Sequence, residues 1–168
     1  MTEGPVDLAA VLAENGAAIG RVAACYERDP ARRQDLLQEI AIALWRALPS
    51  FRGESSLRTF VLRIAHHRAV THSMRRPPDG QPLDAARELP ARGPTPESEV
   101  VNGQRRARLQ DAIRELPMAM RQVLTLALEG LSNRAVGDVL GLSENAVAIR
   151  LTRARQALRE RLAGGEER

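Results

Sequence analysis

The chain has no lysine, one cysteine, one tryptophan, one tyrosine and two phenylalanines among 168 residues. Each shortage excludes something. A lone cysteine, Cys25, rules out an internal disulfide and a cysteine-built zinc ribbon, and is expected to pack in a core. With aromatics at only 2%, that core must rest on Leu, Val, Ile and Ala, which favours helices over a β-sandwich. No apolar run reaches the length of a membrane span. The opening stretch "MTEGPVDLAAVL" is acidic and lacks the basic segment of a secretory signal. A soluble, cytoplasmic protein of one ordinary domain or two small ones is expected.

Arginine, by contrast, is abundant. All 25 basic residues are Arg, set against 21 acids, for a net charge of +4 and a pI near 10.7. A basic balance points to nucleic acid or an anionic surface, and the guanidinium suits bidentate contact with phosphate and guanine. On composition alone, a GC-rich coding sequence explains the arginine preference better. The charge is unevenly placed. Residues 1 to 75 hold 10 Arg and 8 acids, residues 76 to 99 hold 3 and 5, and residues 100 to 168 hold 12 and 8. The acidic middle includes "RPPDGQPLDAARELPARGPTP", with six of the ten prolines, and reads as a linker because Pro removes backbone donors and favours extended chain.

The flanking blocks read as helical throughout, with no strand pattern. Residues 8–27 form an Ala-rich helix with a Gly break. "RRQDLLQEIAIALWRAL" places Leu37, Ile40, Ala41, Leu44 and Leu48 at helical spacing, and Pro49 and Gly53 end it. Ser55 or Ser56 can cap the next helix, whose buried stripe is read as Leu57, Phe60 or Val61, Ile64 and Ala65. In the second block, Thr95 can cap and Pro96 suits the first helical position. That helix runs to about Leu116 and breaks at Pro117. Gly130 closes the helix after it.

The chain then offers "LGLSENAVAIRLTRARQALRERL". Gly141 separates two short amphipathic helices, Ser143 can cap the second, and Gly137 sits where crossing helices approach closely. This is a helix-turn-helix pattern over about residues 132–160, although an αα-corner in any bundle shares it. Turning about 100° per residue, Val147, Leu151, Ala154 and Leu158 fall on a core stripe. Asn145, Ile149, Thr152, Arg153 and Gln156 lie opposite, where a DNA groove would be met. Arg150, Arg155, Arg159 and Arg161 flank them, in reach of phosphates. Arg153 suits guanine, Asn145 or Gln156 suits adenine, and Ile149 with the Thr152 methyl suits a thymine methyl.

Two stretches resemble a known family. "LPMAMRQVLTLALEGLSNRAVGDVLGLSENAVAIRLTRARQALRERL" resembles region 4 of bacterial sigma factors, and "RRQDLLQEIAIALWRALPSFRGESSLRTFVLRIAHHRAV" resembles region 2, in the pattern of the extracytoplasmic-function group. The resemblance implies an all-α fold of two small helical domains: region 2 over 8–75, a linker over 76–99 and region 4 over 100–163. It implies an alternative sigma factor that binds RNA polymerase core through the beta-prime clamp helices and beta flap, reads promoter DNA at minus-35 and minus-10, and is held by an anti-sigma factor. No cofactor, metal or catalytic residue is implied.

Asp35, Gln38 and Glu39 match the core-binding helix. Arg52, Ser55, Ser56, Arg58 and Thr59 match the minus-10 loop, followed on its helix by His66, His67, Arg68 and Thr71. Capturing an unstacked base needs such polar groups beside a pocket. Ser143, Asn145, Ile149, Arg150, Thr152, Arg153, Arg155 and Gln156 form the minus-35 set. The chain departs from the family pattern at Leu57, usually aromatic, at Phe60, usually Trp, at His67, commonly Asn, and at Ala148–Ile149, often a basic residue then Ser. These departures bear on base capture and on the minus-35 sequence. The first helix also looks short.

Three other readings compete. A plain helix-turn-helix regulator leaves "DLLQE" and "SFRGESS" unexplained. A sigma-like protein that binds polymerase without melting DNA is kept open by the missing aromatics. A metalloenzyme built on His66, His67 and His72 lacks the i, i+4 spacing of a zinc pair.

Overall fold

The computed structural model describes residues 7–75 and 97–164, the side chains of 97–100 excepted. The expected Thr95 cap and Pro96, with most of the proline-rich link, lie outside those residues.

Helix α1 (Leu8–Ala24) starts at Asp7, whose carboxylate accepts from the Ala9 amide. The expected glycine break does not occur. Gly16 and Gly20 sit inside one 17-residue helix, because burial of Val11, Ala18, Ile19 and Val22 outweighs a glycine cost of about 1 kcal/mol each. The helix is therefore also longer than expected. Helix α2 (Pro30–Ala47) is capped by Asp29, which accepts from the Arg32 amide at 2.8 Å, with Pro30 in the first turn. Its buried residues are Leu36, Ile40, Ala43 and Leu44, while Leu37 and Ala41 are only half-buried at the margin. The stripe shifts because α2 packs against both α1 and α3.

A 3₁₀ turn (Leu48–Ser50) follows, and Gly53 takes φ +73° in the loop beyond. Helix α3 (Leu57–Met74) is capped by Ser56, whose hydroxyl accepts from the Thr59 amide. Its buried stripe is Val61, Leu62, Ala65, His66 and Ala69. Of the expected stripe, Val61 (the alternative to Phe60) and Ala65 are buried, while Leu57, Phe60 and Ile64 pack against the core's edge.

Helix α4 (Glu97–Arg114) ends two residues before Leu116, which is itself buried in the turn ahead of Pro117. Helix α5 (Met118–Leu128) is closed by Glu129, and Gly130 takes φ +86°. Helix α6 (Asn133–Leu140) is capped by Ser132, and α7 (Glu144–Gly164) completes the chain. No strand occurs among the described residues.

Helices α1–α3 pack mutually, and α7 lies across α4, α5 and α6. The buried apolar cluster continues through both groups. They are joined by polar contacts as well. Arg28 pairs with Asp111 at 2.6 Å, and Arg114 donates to the Ala24 carbonyl at the end of α1. The Arg121 guanidinium lies 5.6 Å from the centre of the Tyr26 ring.

The turn between α6 and α7 brings backbone close to backbone. Gly141 takes φ +68°, and the amides of Gly141 and Leu142 both return to the Gly137 carbonyl. A Cβ built on Gly137 would stand 2.5 Å from the Leu142 carbonyl oxygen. The expected close approach at Gly137 is thus to the turn itself. Gly137→Ala gains about 1 kcal/mol of helix propensity, but a backbone oxygen cannot swing away as a side chain does. The expected net effect is a loss of roughly 1–2 kcal/mol, read as a lower midpoint in urea unfolding.

Candidate nucleic-acid interface

On α7 the two faces separate as the residue spacing requires. Val147, Leu151 and Ala154 are buried, and Leu158 packs partly against them. Asn145, Thr152, Arg153 and Gln156 are exposed, and so is Ile149 at 46%. An apolar side chain on an otherwise polar, arginine-rich face is suited to a partner with apolar groups of its own. Ser143 caps the helix by accepting from the Ala146 amide at 3.1 Å. The Thr152 hydroxyl donates to the Ala148 carbonyl at 3.0 Å, which leaves its methyl for contact. Gln156 is already engaged, donating to Glu160 at 2.8 Å and accepting from Arg159 at 3.0 Å.

Among the described residues Arg150, Arg153 and Arg155 form no ion pair. Arg161 does not belong with them. It lies 3.7 Å from the Glu115 carboxylate and donates to the Glu115 carbonyl, so it fastens α7 to the end of α4. Helix α7 therefore presents three arginines on one side, with its entry fixed by the Gly137 turn.

The loop before α3 is anchored by aromatic contact. Phe51 meets Phe60 with ring centres 5.0 Å apart. Arg52 is exposed at the tip, while the Ser56 hydroxyl serves both the Thr59 amide and the Thr59 hydroxyl, 2.9 Å away. Arg58 reaches out of the loop, donating to the Glu129 carbonyl at 3.0 Å and lying 3.4 Å from its carboxylate. Further along α3, Phe60, His67 and Thr71 share one face by the turn of about 100° per residue. His67 and Arg68 are exposed, and Thr71 donates to the His67 carbonyl.

His66 does not join this face. It is fully buried, 3.4 Å from the Tyr26 hydroxyl and edge-on to its ring. Burial, aided by neighbouring His67, lowers its pKa to about 4, so it is a neutral core residue at ordinary pH. His66, expected among the minus-10 residues, is instead a core residue, because its position falls on the Leu62–Ala69 stripe rather than opposite it. His72 is likewise occupied: it lies 3.2 Å from buried Glu27 and 3.8 Å from Glu39. Cys25 is buried, and burial raises its pKa, which keeps it a thiol.

The third surface is the outer face of α2. Asp35 and Gln38 are exposed, but Glu39 is half-buried and paired with His72 and Arg75. Two residues absent from the sequence-derived set stand beside Asp35 and Gln38: Ile42 at 51% exposure and Trp45 at 64%. The spacing 35, 38, 42, 45 keeps all four on one side, within an arc of roughly 80°. The signal for them was present, since neither falls on the core stripe. An exposed Trp and Ile beside an acid form an amphipathic strip.

The sequence pattern of Sigma-70 region 2 matches residues 12–76, and that of Sigma-70 region 4 matches residues 106–158. The chain is 32% identical over 147 residues to the RNA polymerase sigma-H factor of Pseudomonas aeruginosa, covering 79% of this chain and 74% of that protein. It is 32% identical over 139 residues to the ECF RNA polymerase sigma-E factor of Haemophilus influenzae, covering 76% and 73%. It shares its fold with CnrH, solved with the cytosolic domain of CnrY, at a TM-score of 0.67 and 23% identity over 94% of this chain and 88% of that one. It also shares it with the sigma factor RpoE of Bartonella quintana, solved with the anti-sigma factor NepR, at 0.70 and 20% over 90% and 94%. The chain belongs to the sigma-70 family, in its extracytoplasmic-function group. It is an alternative sigma factor, which directs promoter-specific transcription initiation. No helix among the described residues is long and apolar enough to cross a membrane.

The buried imidazole has a measurable consequence. Its pKa in the folded state lies below the ordinary value of about 6.5, so between those values the unfolded chain binds more protons and stability rises with pH. His66 thus costs nothing above neutrality and destabilises progressively as pH falls through 6.5 towards 4. Between pH 7.5 and 4.5, the wild type is expected to lose roughly 2–3 kcal/mol more than His66→Phe, measured by denaturant unfolding of both proteins at each pH.

Proposed function

We propose that α7 enters the major groove of the minus-35 element, with Arg153 on a guanine, Asn145 on an adenine, and Ile149 with the Thr152 methyl against a thymine methyl. Gln156 joins them after releasing Glu160. Ser143 presents the helix start, and Arg150 and Arg155 meet phosphates. The observation that carries this reading is the exposed Ile149 beside three arginines without ion pairs. Arg52, Ser55, Ser56, Arg58 and Thr59, with His67, Arg68 and Thr71, form the minus-10 surface, where the Phe51–Phe60 pair braces the loop. The outer face of α2 docks on the beta-prime clamp helices through Asp35, Gln38, Ile42 and Trp45, and region 4 meets the beta flap.

In this reading region 2 spans 8–75, the linker 76–99 and region 4 100–163. The protein works in the cytoplasm, with polymerase core and promoter DNA as partners, and catalyses no reaction of its own. An anti-sigma factor as a further partner is supported by the likeness to RpoE, which was solved with one.

Purified core polymerase with this protein, given a library of fragments from the source genome, should yield discrete new transcripts whose start sites align on two shared elements. Absence of such transcripts despite core binding would instead identify a polymerase-binding protein unable to melt DNA. Arg153→Ala should cost about 1–3 kcal/mol of discrimination at one base pair of minus-35, measured by binding to a set of singly substituted promoters; a uniform loss would make Arg153 a phosphate contact. Asp35→Arg combined with Gln38→Ala, and separately Trp45→Ala, should weaken association with core polymerase while circular dichroism and the unfolding midpoint stay unchanged.

A further inference from the structure

Away from the surfaces assigned above, α1, α4 and α5 border a cavity of about 650 Å³, within the roughly 300–1,000 Å³ of small-molecule sites. Its apolar walls are Ala17 and Gly20 of α1, Leu109 and Ile113 of α4, and Leu128 of α5, which is 53% exposed. Gly20 carries an independent signal. Glycine inside a helix costs stability, and a close neighbour is the usual reason to keep one, yet a Cβ built on Gly20 would meet no atom within 4 Å. This glycine leaves room in the cavity rather than admitting another helix. The charged lining is Arg21, Arg33, Arg106 and Glu129. Glu129, at the end of α5, is only 6% exposed. Its carboxylate takes two bonds from Arg21, each 2.8 Å, and lies 3.4 Å from Arg58, which also donates to the Glu129 carbonyl at 3.0 Å. The one acid of the lining is thus balanced within the protein. Arg106 is exposed and forms no ion pair among the described residues.

We propose that this cavity is a binding site for a small amphipathic anion, in chemical class a medium-chain carboxylate. The acyl chain lies against Leu109, Ile113 and Leu128 and runs past Gly20, where a larger side chain would block it. The carboxylate meets Arg106, whose guanidinium is suited to two parallel bonds. Charge selects the occupant: an apolar trough with a free guanidinium beside it favours an anion over a neutral or cationic amphiphile. Such a ligand touches α1 of one helical group and α4 and α5 of the other. It therefore binds the joined groups more tightly than the separated ones and favours their association. The shape of the factor then responds to a small molecule.

The test titrates the full chain with octanoate, decanoate and dodecanoate by isothermal calorimetry. The wild type should bind each saturably, with affinity rising roughly three- to four-fold per added methylene. Decan-1-ol should bind roughly five-fold more weakly than decanoate, and Arg106→Gln should weaken decanoate by roughly three- to five-fold. Gly20→Leu fills the cavity and should abolish saturable binding, while circular dichroism and the unfolding midpoint stay at or above those of the wild type. Saturating dodecanoate should raise the midpoint of the wild type and leave that of Gly20→Leu in place. A wild type without saturable binding would overturn the site, and so would wild-type affinity in Gly20→Leu. Equal affinity for decan-1-ol and decanoate, or unchanged affinity in Arg106→Gln, would overturn the anionic ligand. Should Gly20→Leu fail to fold by circular dichroism, Ala17→Leu on the same wall decides in its place.

Discussion

A carboxylate taken out of water must find cations or give up its charge, and Glu129 finds two. The carboxylate is buried while both guanidinium groups stand about half in solvent, so the pairing is stronger than a surface ion pair but weaker than a fully buried one. The Arg21 bonds are bidentate, which fixes direction as well as distance. Both arginines also sit at the end of α5, where carbonyls concentrate negative charge. Together with the apolar cluster shared by both groups, this anchor orients the second helical group on the first. Given that anchor, the contacts at the other edge of the interface, Arg28 with Asp111 and Arg114 with the Ala24 carbonyl, fall into place along α1.

Helix α3 shows how one element can serve packing and recognition together. Its buried side is built from small and medium residues, with neutral His66 filling the space beside Tyr26. Its outer side carries the polar groups. The loop ahead of it is braced by the Phe51–Phe60 contact, in a chain with very few aromatics to spare. Much of the loop's hydroxyl chemistry is spent locally, on the helix cap at Ser56 and the bond to Thr59. What remains exposed is chiefly Arg52, Arg68 and the His67–Thr71 face.

Much of this was legible in the sequence, and the pattern of success has a physical cause. The cap at Ser55 or Ser56, the cap at Ser143, the turn at Gly141 and the two faces of α7 are local matters, decided by neighbours three or four residues away. The misreadings involve distance. Whether glycines break α1 depends on what packs against it. Whether His66 points inward depends on Tyr26, 40 residues earlier. The partnership of Arg58 with Glu129 spans 71 residues, and no periodicity encodes it. Arg161 looked like its neighbours on α7 because Glu115 lies on another helix. On α2 the polar motif points to Glu39, which is paired with His72 and Arg75, while the exposed Ile42 and Trp45 carry no polar signal.

Trp45 is the chain's single tryptophan, and it stands 64% exposed on the outer face of α2. The indole therefore sits apart from the core, whose lone tyrosine, Tyr26, is buried. Intrinsic tryptophan emission will be that of a solvated ring in the free protein and will change little when the fold melts. It will shift to the blue when a partner covers α2. Nature has in effect left an optical probe on one surface, so that assembly and unfolding report through different chromophores without any label.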